Sequence, residues 1–400
     1  MTKLLVLADD FTGALDTGVQ FAKAGIATSV LFSGGCGKLA DYPAEALVVD
    51  LESRHDAPET AYKKVFEIAE KACAEGVKYF YKKTDSALRG NIGAELSALL
   101  KAVGAPVLEF VPAFPKNGRT TKCGIQYVSG VETAKSVFGA DPFNPVKHSY
   151  IPDIIAEQSD VKVALGETLS EPFIRVHDAE TEEDLRLAAE KMTETTALSG
   201  CAGFAEYLPE LLGLDCGGTE RKRLSGRAKI LLVSGSVNAI TLAQLKEAAK
   251  EIEIFMLDAC DEKIERCFAE KGAAVISSAD CEKEPDLSAY SVEQLEKLRL
   301  ETSAKISGKT KRLFEKLCPD LLAIFGGDTL IQTVRRLGCT EITPLCEISS
   351  GTVLCKAKNA EREFLLVSKS GGFGGKNIVK EILEFEYYPR CKIKCAGTID

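Results

Sequence analysis

Short apolar runs alternating with helix-patterned stretches constrain this chain more than any other feature. In the first half the runs include LLVLA (4–8), TSVLF (28–32), ALVVDL (46–51), VKYFYKKTD (77–85) and PVLEFVPA (106–113). The second half adds KILLVSGS (229–236), EIFMLD (253–258), LLAIFGGD (321–328) and EFLLVSKSGG (363–372). Between them lie segments such as PETAYKKVFEIAEKACAEG, with apolar residues at i, i+3, i+4 and i+7. Strand–helix alternation at this spacing predicts α/β units with mostly parallel strands. The 400 residues suggest two domains. The stretch 209–228, PELLGLDCGGTERKRLSGRA, holds Gly-Gly, a basic cluster and no periodicity, so it is the expected boundary. The division is 1–222 and 223–400, each part a mostly parallel sheet flanked by helices. Arg221, Lys222 and Arg223 read as a solvated linker face. No repeat of fixed period and no low-complexity segment is present.

Ligands of open α/β sheets gather beyond the carboxyl ends of the strands. The strand exits therefore carry the information about chemistry. The first, ADDFTGA, leaves its strand on two acids, Asp9 and Asp10, and turns at once into a helix pattern. One acid, or Thr12, serves as a helix cap. The second is left over, and a carboxylate there can take a proton from a hydroxyl or help hold a metal ion. The second exit, LVVDLESRHD, places Arg54 where a guanidinium suits a carboxylate, or a surface pair with Glu52 or Asp56. The third is the densest. FYKKTDSALRGNIGAEL (80–96) gathers Lys82, Lys83, Asp85, Ser86, Arg89 and Asn91, a set that suits an anionic polyol or, more plainly, a capped helix with solvated charges. The fourth, VPAFPKNGRTTKCGIQYVSG (111–130), reads as a rigid proline loop entering a β-hairpin and able to wall a site.

The exits of the C-terminal half differ in kind. VSGSVNAIT (233–241), IFGGDTL (324–330) and SKSGGFGGKN (368–377) are rich in Gly, Ser and Thr. Such turns let backbone N–H groups approach phosphate oxygens. SAKISGKTK (303–311) is not a P-loop: Ser303 stands in place of the first Gly, and the segment lies in a helical pattern. No G-x-G-x-x-G follows the first strand, which disfavours a nicotinamide-binding dehydrogenase.

Composition narrows the classes. A formal net charge of -9 argues against a nucleic-acid binder driven by overall charge, yet leaves room for an anionic small substrate. No run of about 18 apolar residues is present, so no membrane partner is expected. The opening MTKLLVLADD lacks the features of a secretory leader. Most of the 14 Cys sit in apolar segments, which predicts free thiols in a reducing cytoplasm. Cys391 and Cys395 have no His beside them, so a structural zinc site is not expected.

Eight motifs then fall into an order that resembles the four-carbon acid sugar kinase family, which includes D-threonate, erythronate and 3-oxo-tetronate kinases. They are ADDFTGA (8–14), DLESR (50–54), KTDSALRGN (83–91), PAFPKNGR (112–119), DPFNPV (141–146), SGSVN (234–238), GGDT (326–329) and SGGFG (370–374). The resemblance implies an N-terminal domain that binds a sugar acid and a C-terminal domain that binds ATP. Phosphoryl transfer to the terminal hydroxyl would take place in the interdomain cleft. Asp10 is the first choice for the carboxylate that receives the proton, with Asp9 and Asp85 as further candidates. Lys83 and Arg89 would hold the acid or offset developing charge, Arg54 would pair with its carboxylate, and Ser86 would touch it. Ser236, Gly326, Gly327, Asp328, Thr329 and Gly372 would hold the nucleotide. Mg2+ is expected, without named protein ligands. The alternative is a non-catalytic sugar-acid and nucleotide sensor on the same scaffold. Ala87 departs from the Thr usual in the family, as does Leu330 from a smaller residue. The identity of the acid, its stereochemistry and the oligomeric state are left open.

Overall fold

The computed structural model describes residues 2–32, 41–192, 195–214, 228–283 and 290–384. Most of the expected linker, with Arg221, Lys222 and Arg223, lies outside the described residues, as do Cys391 and Cys395.

The N-terminal half builds strands β1 (Leu4–Ala8), β2 (Thr28–Leu31), β3 (Ala46–Asp50), β4 (Tyr79–Lys83) and β5 (Val107–Val111). A separate small sheet follows, β6 (Arg119–Lys122), β7 (Ile125–Val128) and β8 (Val131–Glu132), and then β9 (Lys162–Ala164), β10 (Phe173–Val176) and β11 (Ala197–Gly200). Its helices are α1 (Phe11–Lys23), α2 (Pro58–Ala74), α3 (Ile92–Val103), α4 (Ile151–Ala156), α5 (Glu182–Glu190), α6 (Ala202–Ala205) and α7 (Leu208–Leu211). The large sheet runs β2-β3-β1-β4-β11-β5-β10-β9, all parallel. All five residues of β1 are buried because both faces of the sheet are covered. Leu4, Val6 and Ala8 join the α1 core, while Leu5 and Leu7 pack with Val65 of α2 and Leu96 of α3.

The C-terminal half contributes β12 (Ile230–Ser234), β13 (Ile254–Met256), β14 (Ala273–Ser277), β15 (Leu321–Phe325), β16 (Glu341–Ser349), β17 (Thr352–Lys358) and β18 (Glu363–Lys369). The helices α8 (Ala239–Ala248), α9 (Asp261–Lys271), α10 (Val292–Leu317), α11 (Gly327–Arg336) and α12 (Ile378–Leu383) complete it. Its parallel block, β13-β14-β12-β15-β18, starts with the winding of β2-β3-β1-β4. The expected P-loop decoy at 303–311 lies wholly inside α10.

The two blocks share one 15-stranded sheet, joined where Ile342 of β16 pairs with Val30 of β2. Two separate sheets were expected. Neither joining strand was among the apolar runs: β16, EITPLCEIS, carries Pro344, which argues against a strand, and β17, TVLCKAK, is short and ends in charge. A register shift between Pro344 and Cys346 accommodates the proline. Three successive antiparallel pairings, β2–β16, β16–β17 and β17–β18, reverse the strand direction between the blocks. Loops at the carboxyl ends of both blocks nevertheless meet at one cleft.

Candidate active site in the cleft

A cavity of about 560 Å³ occupies that cleft. The N-terminal half lines it with the exits of β1, β3 and β4, and the C-terminal half with α10, the start of α11 and the loop after β18.

Asp10 caps α1: its Oδ1 accepts from the Gly13 N–H at 3.2 Å, and the Thr12 hydroxyl donates to Oδ2 at 2.6 Å. Asp9 lies deeper, with a side chain only 3% exposed against 23% for Asp10. Arg54 joins the two, donating from Nε to Asp9 Oδ2 and from Nη2 to Asp10 Oδ1, each at 2.7 Å. Its Nη2 also lies 3.7 Å from Asp85 Oδ1. Burial opposes the charge of Asp10, but Arg54 and then Lys83 outweigh it and hold the carboxyl below its ordinary range. Burial likewise opposes the charge of Lys83, and Asp9 and Asp10 reverse the balance. Gly13 makes room for this ammonium, since a Cβ there would stand 2.6 Å from Lys83 Nζ.

Strand alternation separates the two lysines of β4. Lys82 turns away and forms a buried pair with Glu95 at 3.0 Å, whereas Lys83 faces the cavity. Asp85 is committed to Arg89, which donates from Nε and Nη2 at 2.9 Å to its two oxygens. Burial opposes that charge too, yet Arg89 and Arg54 hold the Asp85 carboxyl far below its usual range. Arg89 also reaches Asp141 at 3.2 Å and lies over the Phe138 ring. Ser86 and Ala87 complete this wall.

Arg119 stands at the start of the hairpin, with its guanidinium over the rings of Phe138 and Phe373, 5.9 and 5.7 Å from their centroids. It donates to the Asn117 carbonyl, and its Nε is buried without a hydrogen-bond partner. Burial lowers its pKa. Among the described residues it alone of the N-terminal arginines on the cavity wall has no ion pair with a carboxylate.

Opposite, the N-terminus of α11 opens on Gly326, whose φ of 106° only glycine adopts readily. Gly327 approaches the other half: a Cβ there would meet Thr12 Cγ2 at 3.5 Å. Gly372 faces open space. Asp328 receives a bond from Arg299 of α10 at 2.7 Å, and Arg335 reaches across the cleft to Glu52 at 3.4 Å. Behind the loop after β18, buried Lys369 donates to the Thr241 hydroxyl at 2.9 Å, and burial pulls its pKa down to about 7.

The family model described as a sugar-binding N-terminal domain matches residues 4–208, and one described as a nucleotide-binding C-terminal domain matches 231–379. A D-threonate kinase of Salmonella typhimurium is 30% identical over 96% of this chain and 98% of its own length. The chain belongs to the four-carbon acid sugar kinase family. A 3-oxo-tetronate kinase of Escherichia coli K12 is 28% identical over 64% of this chain and 72% of its own length. Among solved structures, a Salmonella typhimurium LT2 protein superposes with a TM-score of 0.76 at 23% identity, over 96% of this chain and 99% of its own. Haemophilus influenzae protein HI1011 superposes with a TM-score of 0.69 at 23% identity, over 94% and 98%. These two likenesses concern the fold.

In this four-carbon acid sugar kinase family member, Asp9, Asp10, Arg54, Lys83, Asp85, Ser86, Arg89, Gly327, Asp328 and Gly372 all line one cavity. Ser236, Gly326 and Thr329 stand directly behind it, where a Cβ on Gly326 would lie 3.4 Å from the Ser236 nitrogen. Sequence reasoning passed over Asp16, Phe138, Arg299, Arg335 and Phe373, and took Arg119 only as part of a loop wall. The Gly13–Asp16 spacing on α1 could have flagged Asp16. Arg299 sits in an ordinary amphipathic helix and gives no local signal. No group of three His, Cys, Asp or Glu side chains is placed to hold a metal ion among the described residues, and the cleft acids Asp9, Asp10, Asp85 and Asp328 are engaged by arginines. The residues therefore do not form a protein cage for Mg2+. No helix among the described residues is long and apolar enough to cross a membrane.

Proposed function

We propose that this chain is an ATP-dependent kinase that phosphorylates the terminal hydroxyl of a four-carbon sugar acid. One observation carries the reading. An arginine-bound acid pair at the tip of β1 faces the glycine-opened N-terminus of α11, close enough that a Cβ on Gly327 would touch Thr12. Sugar-acid kinase relatives of both the threonate and 3-oxo-tetronate type support the acceptor class. In this reading residues 1–222 hold the acid and 223–400 the nucleotide.

Asp10, the more exposed acid, accepts the proton as the substrate hydroxyl attacks the γ-phosphorus. Its low basicity suits a loose transition state, where positioning matters more than full deprotonation. Lys83 offsets charge beside it. Arg54 and Asp85 serve as positioning groups, Arg54 for the acid pair and Asp85 for Arg89. The carboxylate of the substrate falls to Arg119, whose guanidinium has no carboxylate partner of its own. Gly327 and Gly372 leave room for phosphates, and the α11 N-terminus offers backbone donors. Mg2+ would arrive with the nucleotide, held mainly by phosphate and water oxygens, and supply charge neutralisation.

The test is ADP release from ATP with a panel of four-carbon acids. Acid-dependent release supports the kinase, and acid binding without release supports the sensor. Within the panel, Arg119→Ala should raise the KM for the acid by about ten- to a hundredfold, the loss of one charge-assisted bond of roughly 1.5–3 kcal/mol. Arg54→Ala should instead lower stability by about 3–5 kcal/mol, because it strands the buried Asp9 carboxylate and takes the nearest cation from half-buried Asp10. Equal effects of the two variants on KM, with stability intact in both, would reverse these assignments.

A further inference from the structure

The cavity wall carries six cations, Arg54, Lys83, Arg89, Arg119, Arg299 and Arg335. Arg54 and Arg89 are held at short range by Asp9, Asp10, Asp85 and Asp141, Lys83 faces Asp9 at 3.8 Å, and Arg335 is drawn to Glu52. Arg119 belongs to the acid end. Arg299 and Arg335 are the two that come from the nucleotide half, and of these Arg299 is the one that pairs within its own half, with Asp328. It comes from α10 in the nucleotide half, and its guanidinium lies over the ring of Phe143 in the acid half, 5.3 Å from the centroid. It therefore sits at the seam that a phosphoryl group must cross.

Its present bonding leaves capacity unspent. Nη1 donates to Asp328 Oδ1, while Nε is buried without a hydrogen-bond partner. A guanidinium has five N–H donors in a fixed fork, and an unmet buried donor awaits an acceptor. The bond to Asp328 is easily exchanged, since that carboxylate is 47% exposed and exposed pairs are worth little. Asp328 lies in the first turn of α11, where phosphates would gather against its negative charge. Arg299 offsets that charge and holds itself beside the phosphates at once. The face of Phe143 fixes the plane of the guanidinium.

We infer that Arg299 is a further catalytic residue, which binds a non-bridging oxygen of the phosphoryl group in flight. The inference rests on the kinase reading. In the step, a bond forms between the substrate hydroxyl oxygen and the γ-phosphorus. The bond from that phosphorus to the β–γ bridging oxygen breaks, and its electron pair leaves with ADP. The hydroxyl proton passes to the Asp10 carboxylate. Charge spread over the equatorial oxygens meets Arg299 from the nucleotide side and Lys83 from the acid side.

The test uses the full chain with ATP and the acid that the wild type accepts. Arg299→Ala should lower kcat by about a hundredfold or more, in line with arginines that serve phosphoryl transfer. KM for both substrates should stay within about threefold, and added guanidinium chloride should restore part of kcat. Arg299→Lys, which keeps the stem and the charge, guards against a folding defect. It should retain the wild-type Tm yet lose about tenfold in kcat, because an ammonium lacks the fork. A kcat within threefold of wild type in either variant overturns the inference. So does a loss confined to the KM for ATP with no guanidinium rescue, which marks a mere tether of Asp328. If the wild type itself releases no ADP with any acid, the kinase reading falls and takes this inference with it.

Discussion

Asp16 lines the cleft from α1, near the Ser370 hydroxyl, which lies 3.5 Å from its Oδ2. Burial pushes its carboxyl up from 3.8 to about 7, against Lys83 and with help from Asp10 and Glu347. The native state thus holds a proton there that the unfolded chain has already lost. Stability falls as pH rises between those two values and levels off above the upper one. Asp16→Asn removes the titration, so its Tm gain over wild type should be larger at pH 8 than at pH 5, as read by calorimetry. A gain independent of pH would show that Asp16 is not the titrating group. Asp10 illustrates the opposite balance on the same helix. Its two nearby cations outweigh burial, and it stays ionised. Two acids six positions apart differ because only one of them touches an arginine.

At the scale of the element, close approach decides the nucleotide side. A Cβ on Gly235 would stand 1.9 Å from Thr329 Oγ1, so the turn after β12 and the first turn of α11 fit only while residue 235 lacks a side chain. Gly235→Ala should displace the start of α11 and raise the KM for ATP by at least about tenfold, since a shift near 1 Å in a positioning element can cost a hundredfold. The KM for the acid should change little, because the proposed acid site lies in the N-terminal half, away from this turn. Thr329→Ala in the Gly235→Ala background should recover part of the loss by removing the opposing hydroxyl and methyl. A double variant no better than the single would place the defect in the turn itself.

At the scale of the whole molecule, three antiparallel pairings join the two parallel blocks that border the cleft. The seam is narrow. Where α1 crosses it, a Cβ on Gly18 would meet Pro344 Cγ and Val30 Cγ2, each at 3.1 Å. Gly18→Leu should overpack this point at a cost of about 1–3 kcal/mol. It should also loosen the halves, so that urea unfolding separates into two transitions. A single transition with an unchanged midpoint would mean that α1 and β16 can part without consequence.

Order along the chain was enough to reveal the α/β class, the strand exits whose residues gather at the cleft, and the family. These are local matters: apolar periodicity, turn residues and motifs that sit on consecutive positions. Lys82 and Lys83 show where such reading ends, since strand alternation sends one to Glu95 and the other to the cleft, and register decides which. Arg54 looked open to a ligand, yet two carboxylates one strand away occupy it. The strand β16 stayed hidden behind Pro344, and with it the join between the halves. Arg299 lies in a helix whose pattern is that of any amphipathic helix, and only the packing of α10 beside Phe143 brings it to the seam. Pairings between residues distant along the chain decide these features, and the free energy of such contacts depends on three-dimensional neighbours that no local pattern records.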